Sequence, residues 1–550
     1  MSKIKIFGLG GLNENGKDMY VIDVDNDIFV FDAGLKYDND INLGIDYIIP
    51  NYDYLIKNKN RIKGIFLTHG HESNMGALPD MLADLEGIDI YGAHLTIEIL
   101  KDDLTDDLIK KVNLHEIKAH NKINFGKNDI FPISVTHSIP DALCYVLYTE
   151  DGAIVYSGDF VFDPTMLGKY KTDVGKLAYV GKQGVLCLLS ESTYAGRKGY
   201  TSPNDRAIES IREVFVKYDK RIIVSLLPAH FYRIQEIMDE ISRGHRKLVV
   251  MGKKLQTLVN RGIDEGYFNF DKSRIGTLDN LDEGNVVVLI SDEKQRPFVN
   301  LQKIIRGTDK FISIKDDDTI FIAEASYSGI EKRCSDILDE IAMLGLNGVI
   351  LSNKKVLLHH PSSEDLMLMI DLMNPKYYFP IKGEYRNQYA NAEIAERSGM
   401  PIENIILKQN GDVCLIENGE LKETNEHIDV DQILIDGNGS DDLGDLVLKD
   451  REMLSENGIV VVSATIDKDS KVLLGGPEIV TRGFIYVKES HDLLAETQEM
   501  CKEIIESDID TNSNRVDYNT IKNDIRKELG NFFYKETESK PMIITVIQEV

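Results

Sequence analysis

The stretch Thr68-His69-Gly70-His71-Glu72-Ser73-Asn74 sets two histidines two residues apart at the end of an apolar run over residues 62–68. Imidazoles so placed can share one transition-metal ion. The pair alone carries little, because two histidines near a strand end are as often core or surface residues. Its companions carry the argument. Asp32 ends the apolar run 28–32, His137 follows the run 130–136, and Asp159 follows the run 154–157. Such side chains, each beside a small or turn residue, converge on one rim of a sheet. His69, His71 and His137 with one oxygen of Asp159 make a tetrahedral N/O set suited to zinc. Asp32 is read as orienting a ligand histidine by hydrogen bonding. Ser73 and Asn74 are poor ligands for a transition metal.

The elements that must position these residues alternate short apolar runs with glycine-rich turns. Residues 4–8, 19–24, 28–32, 62–68, 130–136, 142–148 and 154–157 read as strands, and 77–85 as a helix. From about Ser202 the texture becomes a regular helix–strand alternation. Helices are expected over 204–218, 232–242 and 330–344, and strands over 221–226, 247–251 and 286–290. That order suits a parallel sheet with right-handed crossovers. The Gly/Asp-rich stretch 436–444 reads as a linker. Beyond it, strands are expected over 459–466, 478–487 and 543–547, with helices over 491–507 and 518–533.

Composition bounds the partners. The chain has 550 residues, with 63 basic against 91 acidic side chains and a formal net charge of −28. That excess opposes non-specific nucleic-acid binding, which depends on cationic contacts, but leaves room for a local basic channel. The segment His245-Arg246-Lys247 with Lys253-Lys254 reads as a solvated helix-end cluster ahead of an RNA path. Five cysteines without a Cys-x-x-Cys pair offer neither a disulfide framework nor a zinc knuckle, which suits a cytoplasmic protein. No 18-residue apolar run or signal-like leader is present, so no membrane partner is expected.

The order of motifs resembles the β-CASP branch of the metallo-β-lactamase superfamily, and within it the bacterial ribonuclease J family. The resemblance rests on Leu9-Gly10-Gly11-Leu12 with Gly16-Lys17, the histidine loop, and Gly158-Asp159-Phe160 with Phe162-Asp163-Pro164-Thr165. It continues through Glu191-Ser192-Thr193, Pro375-Lys376-Tyr377, Gly383-Glu384-Tyr385-Arg386 and Thr481-Arg482-Gly483-Phe484-Ile485-Tyr486. It implies an α/β chain: a metallo-β-lactamase αββα sandwich, an inserted β-CASP α/β domain and a small C-terminal α+β domain. The implied boundaries are 1–201 and 356–430 for the sandwich, 202–355 for the insertion, 431–450 for a linker and 451–550 for a C-terminal domain that mediates oligomerisation. Family members process and degrade RNA, removing nucleotides from a 5′-monophosphate end and sometimes cutting internally, with two metal ions.

The departures from the family pattern matter as much. The second metal of active relatives takes an Asp and a His from the first loop, a bridging aspartate, and a histidine before Gly-Glu-Tyr-Arg. Those positions are Ser73, Asn74, Asp159 and Lys382 here. Lysine cannot ligate while protonated, so the resemblance leads us to expect Lys382 in the second metal position, paired with Asp159. At most one zinc or manganese ion is expected, the alternative being none. The resemblance also assigns Glu191 as the acidic partner of His360, which would protonate the departing 3′-oxygen; a buried pair serving only packing is the alternative. Of the family's phosphate-cradling segment, His360 and Ser362 remain, while Leu358 replaces a hydroxyl and His359 a glycine. A second family segment appears as Pro228-Ala229-His230-Phe231-Tyr232-Arg233, in which Arg233 could meet a phosphate or lie on a helix surface.

Two readings follow. The chain is a degenerate family member that binds RNA, pairs with an active paralogue in a homodimer or mixed oligomer, and has little activity alone. Otherwise it is a working one-metal ribonuclease. A small-molecule hydrolase of the same superfamily fits less well, given the β-CASP-like insertion.

Overall fold

The strand Val185–Glu191 is buried at every one of its seven positions, and it lies between two parallel neighbours in a six-stranded sheet. That sheet runs Tyr377–Ile381, Val185–Glu191, Gly152–Tyr156, Leu143–Thr149, Asn128–Ser134 and Ile123–Phe125. A second sheet of eight strands runs Glu420–Lys422, Cys414–Glu417, Lys3–Gly10, Met19–Val24, Asp27–Phe31, Ile62–Phe66, Asp89–Ala93 and Asn113–Ile117. Their inner faces share one core, in which Ile6, Ile22, Phe29, Phe31 and Phe66 meet Tyr145, Leu147, Ile154 and Leu189. The helices Val174–Gln183, Ser363–Met373 and Tyr385–Arg397 cover the outer face of the six-stranded sheet through Leu177, Val180, Leu366, Met369 and Ile394. This is the layered sandwich that the family resemblance implies.

These descriptions come from a computed structural model, which describes residues 2–37, 44–203, 207–226, 230–291, 298–325, 331–352, 359–436, 445–485, 490–509 and 516–550. Leu358 lies outside the described residues. The chain divides into two units, residues 1–40 with 46–434, and residues 41–45 with 435–550.

Between residues 222 and 351 the first unit carries a third sheet. Its five strands, Lys247–Val250, Val286–Ser291, Ile222–Leu226, Thr319–Ala325 and Asn347–Leu351, are all parallel. Ile208–Lys217, Phe231–Arg243 and Lys253–Asp264 pack on one face, and Val299–Ile305 with Glu331–Met343 on the other. In the second unit, Leu473–Arg482, Ile459–Ile466 and Met542–Glu549 form a three-stranded sheet. Alternate residues of Ile459–Ile466 point at the helices His491–Asp508 and Tyr518–Thr537, as a period of two demands.

Three local expectations need correction. The helix expected over 77–85 is a single turn, Leu78–Met81, because Pro79 belongs in a first turn and the Ala77 amide is spent on the Ala33 carbonyl. The strand expected over 478–487 begins earlier and runs Leu473–Arg482, while residues 486 and 487 lie outside the described residues. It ends where Gly483 takes φ +67 beside Gly458, at which a Cβ would stand 2.4 Å from the Gly483 carbonyl carbon. The described part of the helix expected over 204–218 is Ile208–Lys217.

Candidate metal centre and its neighbours

Two strand ends deliver the three histidines. His69 and His71 follow Ile62–Phe66, and His137 follows Asn128–Ser134. His69 Nε2 lies 3.0 Å from His71 Nδ1, and His137 Nε2 lies 3.1 Å from the same atom. Ring nitrogens aimed at one another repel unless a proton or a cation lies between them. Metal–nitrogen bonds of 2.0–2.1 Å in a tetrahedron place ligand atoms about 3.3 Å apart, so tenths of an ångström of widening would admit a zinc-sized ion. The donor set fits such an ion.

Asp32 fixes one of these rings through an intermediary. It is fully buried and accepts from the Thr68 amide at 2.8 Å, Asn74 Nδ2 at 3.0 Å and Tyr156 OH at 2.7 Å. The Thr68 hydroxyl donates its one proton to Asp32 at 2.9 Å, so at 2.9 Å it must accept from His69 Nδ1. His69 therefore presents Nε2 as a bare ligand nitrogen. Burial pushes the Asp32 carboxyl up to about 6, against the hydrogen bonds that hold its charged form. Asn74, which the family pattern would make a metal ligand, is buried and spent on Asp32. Ser73 donates to Asn74 Oδ1 at 2.6 Å.

Asp159 stands between two neighbourhoods. Its Oδ2 is 3.7 Å from His69 Nε2, yet both its oxygens lie 2.7 Å from Lys382 Nζ. The same ammonium lies 2.8 Å from Asp18 Oδ2. Asp18, Asp159 and Lys382 are 0, 3 and 5 % exposed. Burial would lower the Lys382 pKa, but Asp159 and Asp18 overcome it and raise it. Burial would raise Asp159, but Lys382 overcomes it and holds the carboxyl low. For Asp18 burial wins, and Lys382 offsets only part of the rise. Lys382 itself takes φ +58 directly after Tyr377–Ile381 and is followed by Gly383 at φ +84. A left-handed non-glycine residue costs of order 1–3 kcal/mol, so the surroundings must impose it. A dication on Asp159 would face this ammonium at contact distance, so the residues present do not fit a second ion there.

On the other side of Asp159, His360 Nδ1 lies 2.7 Å from Glu191 Oε2, and the Phe160 amide donates to Glu191 Oε1 at 3.1 Å. Ligand atoms of Asp159, Glu191 and His360 fall within 4.8 Å of one another. Burial would lower the His360 pKa, but the Glu191 carboxylate overcomes it and raises it. Burial raises Glu191. The raised His360 pKa and the short contact with Glu191 couple the two side chains through one hydrogen bond.

The residues read as substrate-binding scatter. Arg233 is 2 % exposed and its guanidinium is given to Glu236, so it is no surface residue. Ser362 is fully buried, 2.8 Å from Thr201 Oγ1, at the start of the helix Ser363–Met373. The His359 ring centroid lies 5.2 Å from that of His137, tilted to it, and 4.4 Å from that of His230, edge-on. Of the basic cluster, Lys254 pairs with Asp103, Lys247 with Glu283 and Arg246 with backbone carbonyls, so their charges are used within the protein.

Three residues at the site escaped the sequence reading. Asp18 sits just before Met19–Val24, one carboxylate among many. His230 was seen only as part of a family segment. Its partner Glu324 closes the apolar run of Thr319–Ala325, and an acid at the carboxyl end of a parallel strand is a signal that could have found it.

Comparison with known proteins supplies the family. Residues 446–550 match the model of the ribonuclease J C-terminal domain, 219–341 that of the ribonuclease J β-CASP domain, and 41–174 that of the β-lactamase superfamily domain. The chain is 36% identical over 555 residues to ribonuclease J 2 of Staphylococcus aureus (strain NCTC 8325), covering 100% of this chain and 98% of that protein. It is 35% identical to ribonuclease J 2 of Staphylococcus epidermidis, with the same coverage. A crystal structure of a protein of unknown function from Enterococcus faecalis V583 matches 75% of this chain and 100% of its own, with a TM-score of 0.51 and 13% identity. That last match supports the fold alone.

Proposed function

The chain belongs to the ribonuclease J family, and on that premise we propose that it binds RNA as a degenerate member with weak or no nuclease activity of its own. It works in rRNA and mRNA maturation and decay in the cytoplasm, as a regulatory or structural subunit beside an active paralogue. The observation that carries this reading is the Lys382 ammonium, held 2.7 Å from both oxygens of Asp159.

Two-metal hydrolysis needs both ions to generate the nucleophile and to clamp the attacking and leaving oxygens. The family's metal pair here holds a single zinc or manganese ion, on His69, His71 and His137 with Asp159 beside them. Such an ion supplies Lewis-acid polarisation of a phosphoryl oxygen. The remaining steps fall to the chain's own residues. Asp32 and Thr68 fix the His69 ring. Lys382 replaces the second dication by one positive charge that cannot coordinate an oxygen nucleophile. Removing one oxyanion stabiliser costs roughly 10²–10³ in rate in known cases, and the loss of a metal ion costs at least as much. The phosphate pocket is weakened too, with Arg233 and Ser362 committed to the protein. Subunit contact falls to the second unit, whose sheet leaves Val480, Ile544 and Val546 about two-fifths exposed.

A second reading, a slow one-metal ribonuclease, draws on the intact trio of ring nitrogens and on the Glu191–His360 pair, in which His360 gives its proton to the departing 3′-oxygen. The two separate in an exonuclease assay of the purified chain on 5′-monophosphorylated RNA with manganese or zinc, beside His69→Ala. Equal rates support the binding subunit. Activity that disappears in the variant supports the one-metal enzyme.

A further inference from the structure

His71 belongs to a second trio. Ligand nitrogens of His71, His230 and His359 lie within 4.8 Å of one another, with ring centroids 5.9 Å apart for His71–His230, 5.4 Å for His71–His359 and 4.4 Å for His230–His359. His230 stands at the start of the helix Phe231–Arg243, on the side of the parallel sheet. Its Nδ1 lies 2.7 Å from Glu324 Oε1, and both side chains are 6 % exposed. An ionised carboxylate only accepts, so Nδ1 carries the proton and Nε2 is left bare. Carboxylate, imidazole and a bare opposite nitrogen are the outer half of a metal site. His359 adds an independent observation. Its Nε2 is buried and finds no hydrogen-bond partner among the described residues, a loss of about 1–3 kcal/mol that a ligand would recover.

We propose that His71, His230 and His359 form a second transition-metal site, outside the family's metal pair, with Glu324 fixing the His230 ring. Three imidazoles and no carboxylate in contact select a zinc-class divalent ion over magnesium or calcium. His71 already places Nδ1 in the first trio, so ligating the second ion through its other ring nitrogen requires His71 to release its ring proton to solvent, and the resulting imidazolate would bridge the two ions. The family pattern has glycine where this chain has His359, so the site lies outside that pattern. It raises the ion count above the single one that the sequence suggests. The second ion sits beside the turn His359–Ser362, where it returns positive charge to the remodelled phosphate segment.

The test counts metal and does not depend on whether the chain is a nuclease. The full-length chain, stripped of metal, is titrated with cobalt(II) by equilibrium dialysis while its visible ligand-field bands are recorded. Two equivalents are expected for the native sequence, and one in each of His359→Gly and His230→Gln, with unchanged far-UV circular dichroism. Glu324→Gln should keep both equivalents but weaken the second about 10- to 100-fold. A native chain that takes one equivalent overturns the proposal whatever the variants do. So does a second equivalent that survives both histidine substitutions.

Discussion

Replacing Lys382 by alanine isolates the charge assigned to the second metal position. The ammonium lies 2.7 Å from each Asp159 oxygen and 2.8 Å from Asp18 Oδ2. At an effective dielectric of about 20, a contact of this length is worth roughly 6 kcal/mol of gross attraction. Desolvating each ion costs several kcal/mol in return, so most of that gain is cancelled. Deleting the cation removes the gain and keeps the cost, and breaking a buried pair in this way destabilises by about 3–5 kcal/mol. The loss should depend on pH in a defined direction. In the native chain Asp159 titrates below the ordinary carboxylate range, because Lys382 overcomes burial. Its contribution is present above the unfolded-state pKa and is lost as pH falls through the folded-state one. In the variant, burial acts unopposed and raises the Asp159 pKa, so a proton taken up on acidification relieves the strain. Urea unfolding followed by circular dichroism, fitted as separate transitions for the two units, should show the full deficit near pH 7.5 and a smaller one near pH 5. A deficit below about 1 kcal/mol, or one that is the same at both pH values, would refute the ion-pair account.

Three further outcomes follow from the same geometry. Asp32→Asn places an amide among four donors that now meet a carboxylate, which unsettles Thr68 and the His69 ring; zinc affinity by competition titration should fall about 10- to 100-fold. The triple change Ser73→Asp, Asn74→His and Lys382→His should restore a second ion by mass spectrometry, while each single change does little because such residues act as a unit. If the ion returns without nuclease activity, the weakened phosphate pocket is the remaining defect. Deleting residues 451–550 should abolish oligomerisation in multi-angle light scattering, and an unchanged oligomer would exclude the second unit as the contact.

The strands of the sandwich were legible because they are short apolar runs closed by turns, their layering came from the family resemblance, and the helix–strand alternation after Ser202 does build a parallel sheet. Val185–Glu191 was harder to read, since a strand buried on both faces shows no alternation and its run resembles a helix core. Thr319–Ala325 and Tyr377–Ile381 hide in the same way. At the site, the three histidines stood out through spacing and strand-end placement, and Lys382 through a resemblance that showed what it replaces. Asp18 did not, because its meeting with Lys382 depends on a left-handed backbone at Lys382 that no local pattern announces. His230 and Glu324 are 94 residues apart, and only the packing of the parallel sheet brings them together.

The most direct test of the central claim is anomalous diffraction from crystals of the full chain grown with zinc, recorded above and below the zinc edge. The account predicts density among His69, His71 and His137 and none on Asp159 at the place of the Lys382 ammonium. An anomalous peak there, within metal-bonding distance of Asp159 and with Lys382 swung away, would contradict it.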